Sequence, residues 1–134
     1  MRKQSAFLLV AFLVVVALSM AACGSKTPPP PTEVHVKMSE FKIEMDKTSI
    51  PAGPVKFIVE NVGTMEHEAV LELAGDVDKP FEVNGKESEA PDMEPGKSAT
   101  LEWTIDKPGQ YQLACHVVGH YEAGMVTVFT VTAP

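Results

Sequence analysis

The chain has 134 residues, of which 45% are hydrophobic and 22% charged, and its formal charge is −7. That length suits one domain with one core and is too short for two of ordinary size, and the composition is globular rather than disordered. Eighteen acidic residues against eleven basic ones, with no Lys/Arg cluster, exclude a nucleic-acid footprint and favour a cationic partner over an anionic lipid surface.

Arg2 and Lys3 precede an apolar run from Ala6 to Leu18, which leads into Ser19-Met20-Ala21-Ala22-Cys23. A short charged start, an apolar stretch too short to span a bilayer comfortably and small residues before a cut site describe an export signal over residues 1–22. A retained membrane anchor is the disfavoured alternative. Ala21-Ala22-Cys23 resembles a bacterial lipobox, with Met20 where leucine is usual. The resemblance implies cleavage before Cys23, lipidation of its sulfur and an extracytoplasmic protein tethered to a membrane face. Loss of Arg2 and Lys3 leaves nine lysines against eighteen carboxylates, a formal charge of −9. Residues 23–32 then form the lipidated cysteine and a linker with four consecutive prolines. Polyproline II at about 3.1 Å per residue gives residues 24–32 a reach of roughly 28 Å. The folded domain is residues 33–134.

Within that domain apolar residues alternate with period two, the mark of half-buried strands. Val34, Val36 and Met38 form a first run, and Phe41, Ile43 and Met45 repeat it after a break at Ser39-Glu40. Pro51-Ala52-Gly53-Pro54 reads as a turn into Val55, Phe57 and Val59, and Asn61-Val62-Gly63 punctuates that strand. Ala69, Leu71 and Leu73 alternate just after His67. Residues 74–97 are acidic, rich in Gly and Pro and longer than an ordinary connection, with a short strand at Phe81–Val83 before an Asn84-Gly85 turn. Leu101, Trp103 and Ile105 alternate, Pro108-Gly109 turns the chain, and Tyr111, Leu113 and Cys115 share the next face. A last strand runs from about Gly124 to Thr132. Seven or eight short strands without a helix predict an all-β antiparallel sandwich or barrel.

The eleven residues from Cys115 to Met125 read C-H-V-V-G-H-Y-E-A-G-M, so Cys115, His120 and Met125 stand at intervals of five. An unpaired cysteine in an exported protein is an inert buried residue, a disulfide partner for Cys23 or a metal thiolate. The neighbouring imidazole and thioether favour the metal, and two soft sulfur donors suit copper over zinc, calcium or magnesium. One loop supplies only part of a coordination shell. His67, at the start of a strand after Met65-Glu66, can meet that loop at one end of the fold, whereas His35 alternates outward and His116 points to the opposite side of its strand into solvent. His67, Cys115 and His120 in a trigonal set with a weaker axial Met125 make the arrangement of blue-copper electron-transfer sites. Glu122 and Glu66 are the alternatives for the axial position. Met38, Met45, Phe57, Trp103 and Tyr111 read as core, Met65 as packing near a turn and Met93 as a loop residue.

The C-x4-H-x4-M spacing, the upstream histidine after Asn61-Val62-Gly63 and an all-β domain of this length resemble the cupredoxins over residues 33–134. The spacing is most similar to that of rusticyanin- and sulfocyanin-like members, and the length to plastocyanin and azurin. The resemblance implies a Greek-key sandwich with one copper ion near a pole, His67, Cys115 and His120 as equatorial ligands, Met125 as axial ligand and the edge of His120 as the electron route. Two departures stand out. Val118 replaces the proline that many relatives have before Gly-His, and Glu68 follows His67 where plastocyanin- and azurin-like proteins have an asparagine that fixes the cysteine-bearing loop. Val117, Val118, Gly119 and Tyr121 would form an apolar docking patch around His120, with Glu66, Glu68 and Glu122 as its acidic rim. The expected function is a one-electron carrier between redox proteins such as a c-type cytochrome and a terminal oxidase or reductase. It is not expected to be an enzyme: four histidines in one short domain cannot build a multicopper centre, and one loop cysteine cannot build a binuclear one. The alternatives are copper storage or delivery, with Met65 and His116 as auxiliary donors, and a metal-free binding module.

Overall fold

Among the described residues, alternating side chains along the longer segments help build eleven strands: β1 (Thr32–Ser39), β2 (Lys42–Met45), β3 (Ser49–Pro51), β4 (Gly53–Asn61), β5 (His67–Leu73), β6 (Glu82–Val83), β7 (Lys86–Glu87), β8 (Glu89–Met93), β9 (Ser98–Ile105), β10 (Gly109–Ala114) and β11 (Val126–Thr132). The computed structural model describes residues 28–134. The export signal, Cys23 and the first part of the linker lie outside the described residues. Among the described residues no helix is long and apolar enough to cross a membrane.

One sheet has the order β2-β1-β4-β9 and the other β3-β11-β10-β5-β8, with β6-β7 as a separate hairpin. The sandwich is as expected, but strictly antiparallel pairing is not. β1 runs parallel to β4 from Thr32↔Val55 to Met38↔Asn61, and β3 runs parallel to β11, so each sheet is mixed. The strand count also exceeds seven or eight. β3 is three residues ending in Pro51 and so shows no alternation, and β8 carries Pro91 on a sheet edge, where a missing N–H is tolerated. Met93 accordingly lies buried at a strand end rather than in a loop. The Asn84-Gly85 turn does join two short strands, with φ of 53° and 75° at the two turn residues, as a two-residue hairpin requires.

The core lies between the sheets. Val34, Val36 and Met38 from β1, Val55, Phe57 and Val59 from β4, and Leu101 from β9 face Ala69, Leu71, Leu113, Phe129 and Val131. Phe57 meets Phe129 edge to face with ring centroids 5.7 Å apart. Trp103 is only half-buried and packs at the margin of this core. Two alternation readings fail locally. Phe41 sits in the β1–β2 turn with φ of 60° and is exposed, and Leu73, at the end of β5, is exposed while Val70 and Glu72 on the other face are buried. Residues 74–80 cover that second face, which is why β5 is buried on both sides. Three connections gather at one pole: the β1–β2 turn, the β4–β5 loop and the β10–β11 loop.

Candidate metal centre

Strand β10 ends at Ala114, so Cys115 is the first residue of the β10–β11 loop, and Met125 is its last. The Cys115 N–H donates to the Met125 carbonyl (3.1 Å), which closes the loop at its base. Within it, the His120 N–H donates to Val117 O (2.8 Å), Gly124 N–H to Tyr121 O (2.9 Å) and Met125 N–H to His120 O (3.0 Å). Gly119 and Gly124 take φ of 85° and 93°, values that a side chain would resist. These bonds restrain the loop without a proline at Val118, which stands 97% exposed and outside the turn's hydrogen bonding.

The second arm begins at Asn61, fully buried at the end of β4. Its Nδ2 donates to the carbonyls of Met65 and Met93, both at 2.7 Å, and its Oδ1 accepts the Gly63 N–H at 2.9 Å. Glu40 Oε1 accepts the N–H of Thr64 (2.5 Å), the N–H of Met65 (2.9 Å) and the Thr64 hydroxyl (3.1 Å). The Thr64 amide leads the set of donors that hold the Glu40 carboxyl at about 2, against an ordinary 4.5. Gly63 is needed for this approach, since a Cβ there would lie 2.7 Å from Glu40 Oε1. His67 leaves this braced loop as the first residue of β5.

The two arms bring three donors together. Cys115 Sγ lies 3.4 Å from His120 Nδ1 and 4.0 Å from His67 Nδ1, and the two Nδ1 atoms are 3.3 Å apart. His67 and Cys115 are fully buried and His120 is 2% exposed. This is the one group of three or more His, Cys, Asp or Glu donors within metal-binding reach among the described residues. Burial and then the charge of His120 depress the His67 pKa. Burial pushes the Cys115 thiol up, against the backbone amides of Glu68 and Val117, which favour the thiolate. Two imidazoles that turn Nδ1 toward a sulfur converge their lone pairs on one point, an arrangement that a soft cation satisfies. The donor set fits a single copper ion. Met125 is fully buried at the base of the loop, and Glu66 and Glu122 are exposed.

Four side chains around the donors differ from expectation. The Phe41 ring packs edge-on against His120, with centroids 5.5 Å apart and planes at 87°, and His120 is 2% exposed. His116 does lie away from the donors, but it is not solvated. Its Nε2 sits 3.1 Å from the buried Glu72 and accepts the Asp78 N–H at 3.2 Å, and its ring stacks on Tyr121 with centroids 4.9 Å apart. Glu68 bonds the cysteine loop after all, since its Oε1 accepts the His116 N–H at 2.9 Å. Met65 does not pack; it is 43% exposed. Glu40 escapes sequence reading because its partners lie 24 and 25 residues away, and Asn61, read only as punctuation at a strand end, also reaches Met93 32 residues on.

A mixed β-sandwich with a buried His-Cys-His group at one pole defines a class of small metal-binding domain, and the wider comparisons agree. Residues 8–128 match the cupredoxin-like domain, and the chain belongs to that family. It is 54% identical over 39 residues to the copper-resistant cuproprotein CopI of Pseudomonas aeruginosa, covering 29% of this chain and 22% of that one. To CopI of Vibrio cholerae it is 30% identical over 103 residues, covering 69% of this chain and 61% of that one. The chain thus spans less than two thirds of the length of these relatives. Reduced auracyanin from Roseiflexus castenholzii shares the fold, with a TM-score of 0.63 at 19% identity over 78% of this chain and 99% of that one.

Proposed function

We propose that the domain would hold one copper ion at His67, Cys115 and His120, with Met125 as a further, weaker donor, and would carry single electrons between redox proteins. The observation that carries this reading is the near-complete burial of all three donors on two arms braced by hydrogen bonds. Copper in such a site alternates between Cu(I) and Cu(II). The chain's own contribution is to keep the donor positions fixed, so that little rearrangement accompanies the gain or loss of an electron, and to exclude water and substrate from the centre. No catalytic residue is assigned, and the domain is read as a carrier rather than an enzyme.

The surface at that pole supports a brief encounter with a partner. Val118, Val62, Phe41 and Met65 are exposed apolar side chains on the three connections around the donors, and Val117 is half-buried next to Val118, whereas Tyr121 stacks on His116 instead. Gly119 and the exposed Glu66 and Glu122 border this patch. Apolar contact with an acidic margin suits a weakly bound cationic protein, such as a c-type cytochrome or a domain of a terminal oxidase or reductase. We read the protein as extracytoplasmic and tethered through lipid on Cys23.

A second reading, copper storage or delivery, is favoured by the name of the CopI relatives, copper-resistant cuproproteins. One comparison separates the two. Cu(II) is added to the protein and to Cys115→Ser, and the visible spectrum is followed through reduction, reoxidation and challenge with a Cu(I) chelator. An intense thiolate-to-copper band that is absent from the variant, cycles reversibly and survives the chelator supports the carrier. Loss of copper to the chelator on reduction supports delivery, and a protein without the band overturns the assigned donor set.

A further inference from the structure

Glu68 joins both arms of the centre. It follows His67 in β5, and its carboxylate accepts the N–H of His116, the residue after Cys115, at 2.9 Å. It takes part in none of the ion pairs among the described residues, so no lysine neutralises it there. It is half-buried, and its carboxylate sits against the backbone of the residue that follows Cys115.

A neutral amide could tie the same two segments together, so the carboxylate adds something that the tie alone does not require. The copper-thiolate unit carries one more positive charge as Cu(II) than as Cu(I). A fixed negative charge beside it stabilises the oxidised form more. We propose that Glu68 is a positioning residue that also acts through its charge. It holds the Cys115 segment to the His67 strand and biases the bound copper toward Cu(II), which lowers the reduction potential of the site. This inference rests on the copper reading above.

The test uses copper-loaded protein and the variants Glu68→Gln, Glu68→Asn, Glu68→Asp and Glu66→Gln, with the thiolate-to-copper band and the midpoint potential as readouts. Glu68→Gln keeps an acceptor and removes the charge. It should retain the band and raise the potential, with the ratio of Cu(I) to Cu(II) affinity growing about tenfold, or about 59 mV for a one-electron couple. Glu68→Asn should shift the same way, which keeps the question open to measurement if Glu68→Gln fails to load copper. Glu68→Asp, which retains the charge, should stay closer to the parent. Glu66→Gln, at an exposed carboxylate, should shift less because solvent and salt screen it. An unchanged or lowered potential in the neutral variants, or a shift equal to that of Glu66→Gln, overturns the inference while the copper reading stands. A parent protein without the band overturns both.

Discussion

The loop from Cys115 to Met125 and the excursion from Ala74 to Ser88 both leave the sheets, and buried polar atoms shape both of them. In the first, backbone bonds close the turn, Asn61 and Glu40 brace the opposing arm, and Glu68 ties that arm to the loop. In the second, Glu72 takes the Lys79 N–H (2.9 Å) and a Gln112 amide proton (2.8 Å), while the Ser88 hydroxyl accepts the Phe81 N–H (2.8 Å) and donates to Leu71 O (2.6 Å). The difference lies in what the anchors hold. Those at the pole fix donor atoms, and those under the excursion fix a cover over the outer face of β5 and β10. An irregular segment becomes stiff where interior side chains complete its backbone bonds, and it becomes a site only where those bonds also aim side chains at one another.

That contrast can be broken from either side. Asn61→Ala strands a buried amide and two carbonyls at the pole. We expect a loss of about 3 kcal/mol in chemical denaturation together with weakened copper binding, because the loop before His67 loses its brace. Glu72→Ala should cost about 2 kcal/mol but leave the copper band in place; a band lost with Glu72 would show that both anchor sets serve the centre. Smaller still is the effect of acid on Glu40. Its folded pKa of about 2 lies below the ordinary 4.5, so its stabilisation is complete above about pH 4.5 and drains away as pH falls toward 2. The thermal midpoints of the parent and Glu40→Gln should therefore converge across that window, and a constant gap would sink the assignment. Val118→Ser, at a nearly fully exposed position, should change stability by less than about 0.5 kcal/mol and alter only the encounter rate with a redox partner.

How far the sequence carries is clearest at individual residues. Cys115 and His120 were legible together because donor chemistry and five-residue spacing are local signals, His67 because its place at the start of a strand put it within reach of that loop, and the long alternating strands β1, β4, β9 and β10 because alternation is local too. Parallel pairing of β1 with β4 was not, since each strand shows the same alternation in either direction. His116 read as solvated because alternation gives the side of a strand but not what covers it, and its cover is the segment around Asp78. Phe41 read as a strand residue because apolar spacing continues through the turn, whereas its positive φ swings the ring over His120.

The direction of the first strand also bears on how the domain is presented. Thr32 opens β1, and Ser39 closes it beside Glu40 at the pole of the donors. Eight extended residues cover about 23 Å, so the chain enters the domain at the end remote from His67, Cys115 and His120. A protein held by its N-terminus would therefore turn its reactive pole outward, like a lamp on a short stalk, and lengthening the stalk would change its reach without changing which face a partner meets.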